Sequence, residues 1–117
     1  MANNKSAKKR ILTNERKRLR NRYYKGSLSK LTKLFLQDIE TYKVSQDLND
    51  KAQAQTRLNS IYSFIDKSQK QNILHKNKAA RKKSQLAAQL KLAYMPRFLI
   101  LSIVITNLLL RKFSLNL

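Results

Sequence analysis

A search for chemistry begins with the groups able to transfer a proton or hold a metal, and here they are few. The chain has one histidine, His75, six carboxylates and no cysteine among 117 residues. The carboxylates have no metal-ligand spacing, disulfides and thiolate metal sites are excluded, and a single glycine rules out a Gly-rich phosphate loop. No catalytic constellation forms and no cofactor or metal is implied, so the sequence reads as a non-enzyme. What it offers instead is cation. It carries 26 Lys and Arg and a formal net charge of +20. Such a chain repels itself when compact unless a polyanion neutralises it. Two polyanions qualify, nucleic acid and an anionic membrane surface.

The cations fall in two blocks. Residues 1–36 hold 12 of them against one acid, Glu15. Lys5, Lys8, Lys9 and Arg10 are followed by Arg16, Lys17 and Arg18, then Arg20, Arg22 and Lys25. On a helix, successive residues point about 100° apart, so these side chains radiate around the axis. That suits an arm enclosed by several RNA backbones better than one lying on a flat membrane or in a single DNA groove. Asn14 and Asn21 are interspersed and offer hydrogen bonds to 2′-hydroxyls or phosphates.

Residues 37–66 are close to neutral, with three cations and five carboxylates. The second block, from residue 67 to 95, has eight cations and no acid. It includes Lys67 and Lys70, then His75, Lys76, Asn77 and Lys78, then Arg81, Lys82 and Lys83. The spacing makes it the opening of a helix, whose free N–H groups and positive dipole end favour phosphate. Lys78, Arg81 and Lys82 share a face. Asn77 reads as the cap of that helix before it reads as an RNA contact. His75, taken alone, reads as a packed or surface residue.

Positioning these blocks requires helices. One glycine and one proline leave little material for hairpins. Tyr24, Leu28, Leu31, Phe35, Ile39 and Tyr42 form one stripe of helical period. Traced backwards the stripe turns polar at Asn21 and Lys17, with Leu12, Leu19 and Tyr23 roughly opposite. The first helix therefore continues as a projecting basic arm with little core behind it. With that core stripe missing, the arm is expected to be unordered before it binds. Ser45–Asp50 reads as a break, with Asp50 and Gln53 as a loose capping box. A second helix carries Ala54, Leu58, Ile61 and Ile65. Asn72 is a plausible left-handed terminator. A third helix carries Ala79, Ala80, Leu86, Leu90 and Ala93. Short connections imply an up-down-up, all-α three-helix bundle.

Two segments resemble a known family. Ala2-Asn3-Asn4-Lys5-Ser6-Ala7-Lys8-Lys9-Arg10-Ile11 with Asn14-Glu15-Arg16 is similar to the N-terminus of the bacterial-type small-subunit ribosomal protein twenty. Ile65-Asp66-Lys67 and then His75 through Leu86 resemble its C-terminal signature. Two motifs in the right order, spread over roughly residues 2–92, are far more specific than basic composition. The resemblance implies a three-helix bundle with a long first helix and no catalytic role. It also implies binding near the base of the small subunit, to the 5′ domain of its RNA and the long stem near the 3′ end, early in assembly. Because it starts at Ala2, it argues against a cleaved leader. Asn72, where the family pattern suggests glycine or a similar turn residue, is a mild departure.

The expected organisation is thus an RNA-binding three-helix domain over 1–94 and an apolar extension over 95–117 with no counterpart in the resemblance. Phe98 to Leu110 is uncharged, bounded by Arg97 and by Arg111-Lys112. As a helix this run covers about 20 Å, short of a ~30 Å hydrocarbon core. Its β-branched residues also admit a strand. Pro96 is read as breaking it from the third helix. The preferred reading is a short fourth helix packed on the bundle or on a neighbouring small-subunit ribosomal protein, and not in a membrane. Usage rich in Lys, Asn, Ile and Leu suits an AT-rich genome. The ribosome would then be that of a plastid stroma or a bacterial cytoplasm, the plastid favoured.

Overall fold

The computed structural model describes residues 4–95 and 97–115. Four helices follow one another: α1 (Lys5–Ser45), α2 (Leu48–Lys70), α3 (Lys76–Tyr94) and α4 (Arg97–Leu115). No strand occurs among the described residues, so the apolar tail is helical rather than extended. Pro96, read as the breaker ahead of it, lies outside the described residues. Within them α3 stops at Tyr94 and Met95 is already extended, at φ −70° and ψ 133°.

The first three helices pack as an up-down-up bundle, and the core is the set of stripes the spacing predicts. Leu28, Phe35 and Ile39 of α1 meet Ala54, Leu58, Ile61 and Ile65 of α2 and Ala79, Leu86, Leu90 and Ala93 of α3. Phe35, Ile61 and Ile65 are fully enclosed. Alanines 79 and 93 let α3 approach closely. Ala80 does not join them: it is exposed, because a neighbour in sequence sits about 100° round the helix from Ala79. Leu74, in the α2–α3 connection, closes the core. Two ion pairs brace the helices, Arg57 with Asp38 between α2 and α1 and Lys83 with Asp66 between α3 and α2. At the far end Tyr94 sets its ring edge-on to Tyr42, centroids 5.5 Å apart, and its hydroxyl donates to the Lys51 carbonyl at 3.2 Å.

The connections follow local chemistry, with two corrections. The break after α1 is only Gln46 and Asp47. Gln46 takes the left-handed conformation at φ 58°, and its N–H reaches the Tyr42 carbonyl at 2.8 Å. Asp47, not Asp50, holds the N-cap position of α2. Asp50 lies inside the first turn, where its carboxylate accepts from the Ser45 hydroxyl, so no Asp50–Gln53 capping box forms. The end of α2 is as expected. Asn72 stands at φ 58°, its N–H bonds the Gln69 carbonyl at 3.1 Å, and the Ile73 N–H bonds that of Ser68 at 2.9 Å. This is a Schellman closure with asparagine in the left-handed place. At the start of α3 the cap is His75, not Asn77. The His75 Nδ1 accepts from the Asn77 N–H at 3.2 Å, which places Asn77 inside the helix.

The molecule is long for its length of chain. Its radius of gyration is 21.9 Å and its extents are 76 × 43 × 20 Å, where a compact chain of this size would have a radius near 13 Å. Two features cause this. The first 15 or so residues of α1 run past the bundle. And α4 makes no packing contact with α1, α2 or α3 among the described residues. The expectation that the tail packs on the bundle is therefore corrected. The core stripes of the three bundle helices are packed against each other and not against α4.

Candidate nucleic-acid interface

Antiparallel succession puts both basic blocks at one end of the bundle. As α2 runs back along α1, its C-terminus and the start of α3 come level with Arg20, where the core stripe of α1 gives out. Tyr24 is the last stripe residue, its ring edge-on to Phe64 with centroids 6.3 Å apart. One turn earlier Arg20 Nη1 donates to Gln71 Oε1 at 2.9 Å, tying α1 to the α2–α3 turn. Beyond Arg20 the arm runs on for about 22 Å to Lys5.

Of the twenty residues singled out as RNA contacts, seventeen are exposed, and Asn21, Lys82 and Lys83 are half-buried. Lys5, Lys8, Lys9, Arg10, Arg16, Lys17 and Arg18 stand around the arm, with Arg20, Arg22 and Lys25 at its root. Lys67, Lys70, His75, Lys76, Asn77 and Lys78 surround the α2–α3 turn, and Arg81 continues from it. A shallow groove runs down one face of α1, lined by Asn14, Lys17, Arg18, Asn21, Arg22 and Lys25. Asn21 continues the core stripe, and its Oδ1 is buried without a hydrogen-bond partner.

Several of these residues have partners within the fold, among them His75 with the Asn77 N–H and Arg81, whose Nε donates to the Asn77 carbonyl at 3.4 Å. Lys83 pairs with Asp66 and lies 5.7 Å from the Tyr62 ring. Lys67 lies 5.7 Å from the Phe64 ring. Arg20 is held by Gln71. Gln71 itself was invisible to sequence reasoning, since its role depends on a partner 51 residues away.

Both helix starts in the region are electrostatically unfavourable as they stand. The first turns of α1 and α3 contain no acid, yet hold Lys5 and Lys8, and Lys76 and Lys78. Cations beside the positive end of the helix dipole destabilise it, and an anion there would offset the cost. The carboxylates do not do so: Asp38 and Asp66 are committed to inter-helix pairs and Asp50 to Ser45. The surface is thus cationic, exposed and short of counter-charge, with no cluster of metal-binding side chains among the described residues.

The model of the ribosomal protein S20 family matches residues 2–91. The chain belongs to that family. It is a structural protein of the small ribosomal subunit and not an enzyme, and ribosomal RNA binding is the family's role. Among its relatives is the small ribosomal subunit protein bS20c of Trieres chinensis, 61% identical over 93 residues, which are 80% of this chain and all of the relative. The bS20c protein of Phaeodactylum tricornutum is 55% identical over the same shares. The bS20 protein of Crocosphaera subtropica is 48% identical over 91 residues, 78% of this chain and 94% of its own. The S20 match ends at residue 91, so α4 stands outside it.

Proposed function

We propose that the basic arm of α1 and the α2–α3 corner form one continuous surface for small-subunit ribosomal RNA, carried by the domain over residues 1–94. The observation that supports this most is the Arg20–Gln71 bond, which joins residues 51 apart in the chain and brings the two blocks to one end of the bundle. Several phosphate backbones would be neutralised there at once, releasing counterions and locking the relative positions of their helices. Shape carries the selectivity, because a radiating set of cations reads backbones and not base edges. Charge reversal at Arg16, Arg18 or Arg81 should weaken binding and subunit incorporation well beyond reversal at Lys43 or Lys51. Equal effects at all five positions, read by filter binding and by gradient occupancy, would sink the two-block surface.

The partners also include neighbouring small-subunit proteins, and residues 96–117 are our candidate for that contact. The described side chains of α4 present apolar groups on every side, with Leu101 60%, Val104 48%, Leu109 62% and Leu110 63% exposed. No described helix is long and apolar enough to cross a membrane. Left bare, such a helix invites aggregation. Deleting residues 96–117 should raise the solubility of the free protein and lower the occupancy of an adjoining protein in the assembled subunit. No change in stability, solubility or occupancy would mean the extension has no such partner. The plastid remains the favoured compartment, supported by the residue usage and by the two bS20c relatives.

A further inference from the structure

The outer side of the arm carries a feature that phosphate neutralisation does not explain. Leu12, Leu19 and Tyr23 are 65%, 60% and 61% exposed. At 100° per residue they fall within about 40° of one another around α1, on the side away from the core stripe. They span about 16 Å along the axis. The Tyr23 ring meets Tyr24 edge-on at 5.5 Å, and Tyr24 in turn meets Phe64 at 6.3 Å. A line of aromatic contacts therefore connects the last member of the row to the bundle. Cations border the row on both sides, Lys9 and Arg16 on one and Lys8 and Arg22 on the other, all exposed. The arm's one carboxylate, Glu15, lies between Lys8 and Arg22 on the second flank.

We propose that this row is the seat of an RNA duplex, with Leu12, Leu19 and Tyr23 lying on the ribose edges of its minor groove. The proposal rests on the ribosomal RNA-binding reading above and names the part of the RNA that this face takes. The A-form major groove is deep and narrow, closed to a helix about 10 Å across. The minor groove is wide and shallow, displaying sugar C–H edges and 2′-hydroxyls between two lines of phosphate. An apolar line between two lines of cations is the complement of that surface. The leucines cover sugar carbons, the flanking side chains reach one backbone each, and the Tyr23 hydroxyl meets a 2′-hydroxyl. A protein partner would have to present an apolar strip between two acidic borders to match as well.

The test uses the full chain and a transcript of small-subunit ribosomal RNA. Leu12→Gln/Leu19→Gln removes the apolar row without touching the bundle core or the charge, and glutamine keeps the helix. Affinity should fall about tenfold or more at every salt concentration, with the slope of log K against log salt unchanged. Hydroxyl-radical protection of a short run of riboses should disappear. Arg16→Gln, by contrast, should flatten the slope. Unchanged affinity and ribose protection in the double variant would overturn the proposal. So would normal RNA binding coupled to loss of a neighbouring protein from reconstituted subunits, since the row would then face protein. Failure of the unaltered chain to bind the transcript would instead overturn the underlying reading.

Discussion

At the scale of single residues, the chemistry of this protein is mostly charge left unpaired, and the exceptions show where the fold needs it paired. Tyr94 is a group whose ionisation is tied to folding. Burial pushes its phenol up from the ordinary value of 10.0, and the nearby Tyr42 adds to the shift. As pH climbs, the unfolded chain therefore loses this proton first. The stabilisation is intact below pH 10.0 and is lost as pH rises through the folded-state value. Tyr94→Phe should remove that part of the alkaline decline in melting temperature. At neutral pH it should cost about 0.5–1.5 kcal/mol through loss of the bond to the Lys51 carbonyl. An alkaline melting profile identical to that of the unaltered protein would show that Tyr94 does not carry the effect. His75 teaches the complementary point. Taken alone it reads as a surface or packed residue, and it caps α3 from an exposed position, because which of two nearby polar residues caps a helix depends on where the chain turns.

Among the elements, α1 is two structures in one. From Tyr24 to Tyr42 its apolar stripe is packed; from Lys5 to Leu19 every side chain but that of Ala7 is exposed. Gly26 sits near this junction, and a Cβ added there would meet nothing within 4 Å. Gly26→Ala should therefore stabilise the helix by about 0.5–1 kcal/mol and raise the helicity of the RNA-free protein, measured by circular dichroism and thermal melting. A fall in stability would mean that the junction needs glycine's freedom. The packed half was legible residue by residue, since Leu28, Phe35 and Ile39 repeat at helical spacing and nothing else competes for the face. The ends of α2 were less so. Asn72 was readable as a terminator because asparagine tolerates positive φ. Gln46, in the same conformation, carries no such signal, and the start of α2 was placed three residues late as a result.

Across the whole molecule, charge opposes compaction while RNA would relieve the opposition. Salt should therefore act in opposite directions on the two processes. Screening reduces self-repulsion, so the melting temperature of the free protein should rise between low and moderate ionic strength. Affinity for ribosomal RNA should fall over the same range as counterion release loses its advantage. A melting temperature that falls with added salt would show that the ion pairs Arg57–Asp38 and Lys83–Asp66 outweigh the general repulsion. The elongated outline, with extents of 76 × 43 × 20 Å, keeps the cations apart in a way that a compact chain of +20 could not.

Composition and periodicity were sufficient for the helical class, the three core stripes, the absence of catalysis and the polyanion partner. Each of these depends on residue type and local spacing, which a sequence displays directly. The meeting of the two basic blocks at one end, the Arg20–Gln71 tie and the isolation of α4 arose only from folding. They are relations between residues far apart in the chain. Their geometry is set by how long each helix runs and by which helix faces meet in the core, and no local pattern encodes that.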